Sequence, residues 1–224
     1  MNVQTWMDIS TLKGINQIET DAGHATVSLD GKWMAAGDYE IRLWDLGTGE
    51  FIREFQLPMS GEIKNIALSP NGSLLAASLE DKFLIWDINT SEMYTFNVEA
   101  ANAHSLVFSP NGCLLAMGTD RGKVTLLDLN TKKIVFEQAA HRNTVTHLSF
   151  SPDGHLLLSV GAQDRAIIWG LDDALQIPGG YYADVTCNLA SVPLTSTPIT
   201  PTNTSAPIEA SSTPTPTTLT RTLK

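Results

Sequence analysis

Two short landmarks recur along the chain at a nearly fixed spacing, and they constrain its fold more than any other feature. The first is Ser69-Pro70-Asn71-Gly72, repeated as Ser109-Pro110-Asn111-Gly112 and Ser151-Pro152-Asp153-Gly154, with Ser28-Leu29-Asp30-Gly31 as a fourth copy. The glycines step by 41, 40 and 42 residues. The second landmark follows each one: Leu43-Trp44-Asp45-Leu46, Ile85-Trp86-Asp87-Ile88, Leu127-Asp128-Leu129 and Ile168-Trp169-Gly170-Leu171. From Asp45 to Asp87, Asp128 and Gly170 the steps are 42, 41 and 42. Two landmarks in step over four copies mean one structural unit built four times.

The local chemistry of that unit is strand and turn. In Ser-Pro-Asn/Asp-Gly the proline presets φ, the Asn or Asp side chain starts the turn, and glycine supplies a positive φ. Apolar runs flank it, Ile66-Ala67-Leu68 before and Leu74-Leu75-Ala76-Ala77 after. A second turn follows at Glu80-Asp81-Lys82, Asp120-Arg121-Gly122 or Gln163-Asp164-Arg165. Then come Phe83–Trp86, Val124–Leu127 and Ala166–Trp169 as third strands. A polar turn such as Gly47-Thr48-Gly49-Glu50 leads to a fourth strand such as Phe51–Phe55. Each period reads as a four-stranded antiparallel meander. The inner strands are continuous apolar runs, which predicts sheets covered on both faces and stacked on one another.

Composition separates the repeats from the C-terminal end. Thr, Pro and Ser make up 22 of the 34 residues 191–224, which contain no Phe, Trp or Tyr. Such a segment cannot bury enough apolar surface to fold, and residues 191–224 are expected to form a disordered tail, a spacer or a surface stalk. Residues 191–224 sum to +1, so of the net charge of −10 the remainder of the chain carries −11. It disfavours nucleic acid and anionic lipid as partners, since phosphate contacts need clustered Lys and Arg. No apolar run reaches the length of a membrane span, and no signal peptide is visible, so a cytoplasmic setting is the default and an extracytoplasmic one requires residues upstream. Cys113 and Cys187 alone set no disulfide framework.

The period, the Trp-Asp ending and the Ser-Pro-Asp-Gly turn together resemble the WD-repeat β-propeller family. The resemblance covers roughly residues 6–171. It implies an all-β fold: a partial β-propeller of four four-stranded antiparallel blades within residues 1–171, with repeats ending near 45, 87, 128 and 170. Trp6-Met7-Asp8-Ile9 resembles the end of an earlier copy, a remnant spanning residues 6–20. Residues 172–190 are expected to be irregular or to supply one last outer strand. Family members usually close with about seven blades, so four repeats are an incomplete ring. Three completions follow: a longer propeller of which this is part, two half-rings that self-associate, or an open or four-bladed monomer, a ring that the wedge shape of such blades disfavours.

The resemblance also implies a structural network of His, Ser, Asp and Trp in each blade. The fourth copy matches with His141, Ser159, Asp164 and Trp169; the second keeps Ser78, Asp81 and Trp86. The first keeps Trp44, and Asp45, Asp87 and Asp128 close the third strands. The incomplete copies are expected to be less rigid. His141, Ser159 and Asp164 are also the residue types of a hydrolase triad, but a triad needs an exposed serine and oxyanion donors, and no Gly-x-Ser-x-Gly turn is present. Gly118-Thr119-Asp120-Arg121-Gly122-Lys123 has the wrong glycine spacing for a phosphate loop and opens no helix. The histidines lack metal-ligand spacing, so neither a metal nor a cofactor is implied.

Function therefore reads as a non-catalytic protein-interaction scaffold. The candidate partner-binding rim comprises Tyr39, Lys82, Arg121, Arg142 and Arg165, because Arg and Tyr favour binding hot spots. The alternative is a regulatory or substrate-binding propeller portion of a larger, cell-envelope enzyme.

Overall fold

A computed structural model of the protein describes residues 23–57, 61–80, 82–97 and 102–171. The expected remnant at 6–20, the segment 172–190, the tail 191–224 and Asp81 lie outside the described residues.

Among the described residues fifteen strands form four antiparallel sheets in chain order. The first sheet contains β1 (His24–Val27), β2 (Trp33–Gly37), β3 (Ile41–Asp45) and β4 (Glu50–Phe55). The second contains β5 (Asn65–Leu68), β6 (Leu74–Ser78), β7 (Lys82–Asp87) and β8 (Met93–Asn97). The third contains β9 (Ala103–Phe108), β10 (Leu114–Thr119), β11 (Lys123–Asp128) and β12 (Lys133–Ala139). The fourth has three strands among the described residues: β13 (Val145–Phe150), β14 (Leu156–Gly161) and β15 (Ala166–Gly170). Each sheet is a meander in which consecutive strands pair. Successive sheets pack mainly through their first strands, β1 on β5, β5 on β9 and β9 on β13. This is the β-propeller blade arrangement that the repeats predict.

One turn is built four times. The Ser28, Ser69, Ser109 and Ser151 hydroxyls donate to Asp30, Asn71, Asn111 and Asp153 at 2.5, 2.8, 2.7 and 2.5 Å. Each hydroxyl also accepts the amide that opens the next strand, from Trp33, Leu74, Leu114 and Leu156, at 2.8–2.9 Å. The glycines of these turns sit at φ of +63 to +76°, where a side chain is strained. Cys113, fully buried just past the third such turn, is disulfide-bonded rather than a free thiol, which the count of two cysteines did not anticipate.

Packing follows the repeat. Ala76, Phe83 and Ile85 of the second sheet face Leu106, Phe108, Leu115 and Met117 of the third, all buried. Ala116, Val124 and Leu126 then face Val145 and Leu157 of the fourth. Each fully buried aliphatic side chain contributes roughly 1.5–3 kcal/mol. An aromatic of one sheet's outer strand meets the next sheet's tryptophan twice: Phe55 on Trp86 at 5.6 Å and Phe136 on Trp169 at 5.4 Å between ring centroids. In the third copy Leu127 replaces tryptophan, and Phe96 stacks within its own sheet on Phe83 at 4.9 Å.

Coverage on both faces holds for the second and third sheets, where β6, β7, β10 and β11 are buried almost throughout. It does not hold for the fourth. There Leu156, Leu158 and Ile168 are exposed by 45, 36 and 67%, because no further described sheet lies beyond them. At the place of Leu158 the first three sheets carry Ala35, Ala76 and Ala116, all fully buried.

Candidate functional site

The Ser-His-Asp-Trp set of the fourth sheet converges on one buried hydroxyl. Ser159 lies in the middle of β14, fully buried. Trp169 Nε1 donates to its Oγ at 2.9 Å from β15, and His141 Nε2 lies 2.8 Å from the same oxygen. His141 Nδ1 is 3.4 Å from Asp164 Oδ2, within electrostatic reach but out of hydrogen-bond alignment, so this buried nitrogen has no hydrogen-bond partner. Asp164 instead accepts main-chain amides, first from Arg165 and then from Arg142, the latter at 3.1 Å. Those bonds hold its carboxyl below the usual carboxylate range. A hydroxyl fully buried in this way offers no open approach to a substrate.

Gly161 makes this packing possible, and the repeat landmarks give no hint of it. A Cβ there would stand 2.8 Å from His141 Nδ1 and 3.0 Å from Asp164 Cβ. The signal that finds it is steric: a glycine at the end of a strand, on the face where a buried ring must lie.

Elsewhere the named residues do other things. Ser78 is fully buried and donates across to the third sheet, to the Ala103 carbonyl at 2.7 Å. Trp44 and Trp86 are buried, whereas Trp169 is only partly so, on β15, which has no fourth strand beside it among the described residues. Asp45, Asp87 and Asp128 end β3, β7 and β11. Each carboxylate caps the turn that follows it: Asp45 accepts the amides of Gly47 and Thr48 at 2.8 and 3.1 Å. Asp87 accepts those of Asn89 and Thr90 at 2.8 and 2.9 Å, and Asp128 those of Asn130 and Thr131 at 2.8 and 3.2 Å. A carboxylate accepting two amides presets the turn. Gly170, at the same place in the fourth copy, has no side chain to do so.

The five rim residues lie at the other end of the sheets. Tyr39, Arg121 and Arg165 sit in the turns between second and third strands, and Lys82 opens β7 at the equivalent position. Arg142 lies in the connection from β12 to β13. Tyr39, Arg121, Arg142 and Arg165 are exposed; Lys82 is half-buried. The run from Gly118 to Lys123 is the β10–β11 hairpin end. Its glycines admit the neighbouring sheet, since a Cβ on Gly118 would meet Val145 at 2.5 Å and one on Gly122 would meet the His141 carbonyl at 1.9 Å.

Among the described residues no group of three His, Cys, Asp or Glu is placed to hold a metal ion, and no helix is long and apolar enough to cross a membrane.

A family model described as the anaphase-promoting complex subunit 4 WD40 domain matches residues 106–174. WD repeat-containing protein SL1-17 of Schistosoma mansoni is 30% identical over 144 residues, 63% of this chain and 47% of that protein. Target of rapamycin complex subunit wat1 of Schizosaccharomyces pombe is 27% identical over 139 residues, 61% of this chain and 44% of its own. Small ribosomal subunit protein RACK1y of Oryza sativa is 29% identical over 153 residues, 65% of this chain and 44% of its own. The chain spans between about a third and a half of the lengths of the curated relatives it matches.

Proposed function

Because the chain belongs to the WD-repeat family, we propose that it is a non-catalytic scaffold that binds other proteins through the turns at one end of its sheets. One observation carries this reading. The one Ser-His-Asp set among the described residues holds the fourth sheet, with Ser159 Oγ buried between Trp169 and His141. The exposed hot-spot residue types, Tyr39 and the arginines at 121, 142 and 165, collect instead on that rim. Two relatives are named as parts of assemblies, a target of rapamycin complex subunit and a small ribosomal subunit protein, which agrees with a role in holding partners.

In this reading His141, Ser159, Asp164 and Trp169 form a structural network. Asp45, Asp87 and Asp128 preset turns, and Trp44 and Trp86 anchor the core. The ring is completed by further repeats or by a second copy. The test is affinity capture with the intact chain as bait, followed by cross-linking and mass spectrometry, beside a panel of ester, peptide and phosphate substrates. The expected result is a saturable protein partner and no turnover. Turnover abolished by Ser159→Ala in a variant that stays folded would overturn the reading.

A further inference from the structure

Three arginines from three different connections are drawn together where the third and fourth sheets meet. Arg121 is in the β10–β11 turn, Arg142 in the β12–β13 connection and Arg165 in the β14–β15 turn. Two backbone ties bring them together. The Gly122 carbonyl accepts the amides of Ala140 and His141, both at 2.9 Å, so Arg121 and Arg142 flank a bonded pair. The Asp164 carboxylate takes the amides of both Arg142 and Arg165. Gly122 is essential to the first tie, since its φ is +76° and a Cβ would collide with the His141 carbonyl.

The guanidiniums themselves are uncommitted. All three residues are exposed, and among the described residues no ion pair or hydrogen bond engages their side chains. Two carboxylates stand beside them, Asp120 and Asp164, and both take neutral N–H donors, so each keeps its charge. Asp164 serves main-chain amides, Glu137 pairs with Lys123 at 2.9 Å, and Asp120 accepts from Asn102 at 3.0 Å. Three arginines against Asp120 and Asp164 leave a small excess of positive charge on a chain of net charge −10. Like charges held together repel, and an incoming anion relieves that repulsion. The planar fork of arginine suits a carboxylate, which it binds through two parallel hydrogen bonds.

We propose that Arg121, Arg142 and Arg165 form a docking site for an acidic segment of a partner protein. This rests on the scaffold reading and adds the chemistry of the partner. The surface favours a peptide over nucleic acid, because three cations on an acidic chain release few counterions. Among the described residues no base-stacking platform adjoins them either, since Tyr39, the exposed aromatic of this rim, belongs to the first sheet.

The test is fluorescence anisotropy of the intact chain with a labelled peptide of about ten residues alternating Glu and Gly, compared with its Gln counterpart. Binding to the Glu peptide alone is expected, weakening as salt is raised. R142E/R165E is expected to bind about ten-fold or more weakly at an unchanged melting temperature, and R142K/R165K to fall between, since lysine keeps the charge and loses the fork. R121E, which touches neither tie to Asp164, serves as a second variant with the same expected loss. No binding by the wild type, equal affinity for the Gln peptide, or undiminished affinity in R121E overturns the proposal. So does tighter binding of a single-stranded oligonucleotide of equal charge, which points to nucleic acid. If R142E/R165E still captures every protein captured by the wild type, the scaffold reading stands and this site falls. If the wild type captures none, the scaffold reading falls with it.

Discussion

Trp169 donates its indole N–H to the Ser159 hydroxyl at 2.9 Å, tying β15 to β14 on the face turned toward the third sheet. His141 reaches the same oxygen from the preceding connection. Removing that oxygen leaves a partly buried N–H and a buried ring nitrogen without partners. Ser159→Ala is therefore expected to cost about 1–3 kcal/mol in urea unfolding. In a double-mutant cycle Trp169→Phe is expected to add little on top of Ser159→Ala, because both remove the same bond. Additive losses would show that the bond contributes nothing.

The tryptophans of the repeats are not equivalent. Trp86 is 3% exposed and packs on Phe55 from the neighbouring sheet, so Trp86→Ala opens a cavity between two sheets. The expected loss is about 3–5 kcal/mol. Trp169 is only partly buried, and Trp169→Ala is expected to cost less by thermal unfolding. Equal melting temperatures for wild type and Trp86→Ala would contradict this placement of Trp86.

How far the sequence foretells the structure depends on the range of the interaction. The Ser-Pro-Asn/Asp-Gly turns are legible because Ser69, Asn71 and Gly72 act on one another within a few residues. The four meanders follow, since each strand pairs with the next. The stack of sheets is legible from the continuous apolar runs and its extent from the count of four repeats, but the exposure of individual end-sheet side chains is not. Leu156, Leu158 and Ile168 read like buried residues, and only the absence of a further described sheet exposes them. The role of Asp45 was legible as part of a landmark but not as a turn cap, because the partners are amides that any residue supplies. The gathering of Arg121, Arg142 and Arg165 depends on bonds among Gly122, His141, Arg142 and Asp164, residues far apart in the chain, and no local pattern records it.

Acid distinguishes the four copies of the serine turn. Asp30 and Asp153 sit below the usual carboxylate range, chiefly because the Ser28 and Ser151 hydroxyls donate to them. A depressed folded-state value means stability that is complete above the unfolded-state value of about 3.9 and lost as pH falls through the folded one. Asn71 and Asn111 make the same turns without a titrating group. Asp30→Asn/Asp153→Asn is therefore expected to move the acid-unfolding midpoint, followed by tryptophan fluorescence, to lower pH. An unmoved midpoint would mean that acid acts through other carboxylates.

Glycine substitutions separate conformational strain from steric conflict. Gly31 has φ of +70° with nothing within 4 Å of a Cβ, so Gly31→Ala bears only the left-handed penalty, about 1–2 kcal/mol. Gly122 has nearly the same φ, +76°, but its Cβ would stand 1.9 Å from the His141 carbonyl and 3.0 Å from that of Asn143. Gly122→Ala must push apart the third and fourth sheets at the tie that carries Arg121 and Arg142. It is expected to lower the melting temperature well beyond Gly31→Ala and to raise hydrogen exchange at the His141 amide, which bonds to the Gly122 carbonyl. Matching losses for the two variants would mean that the sheets yield there without cost, and that the tie does not fix the rim.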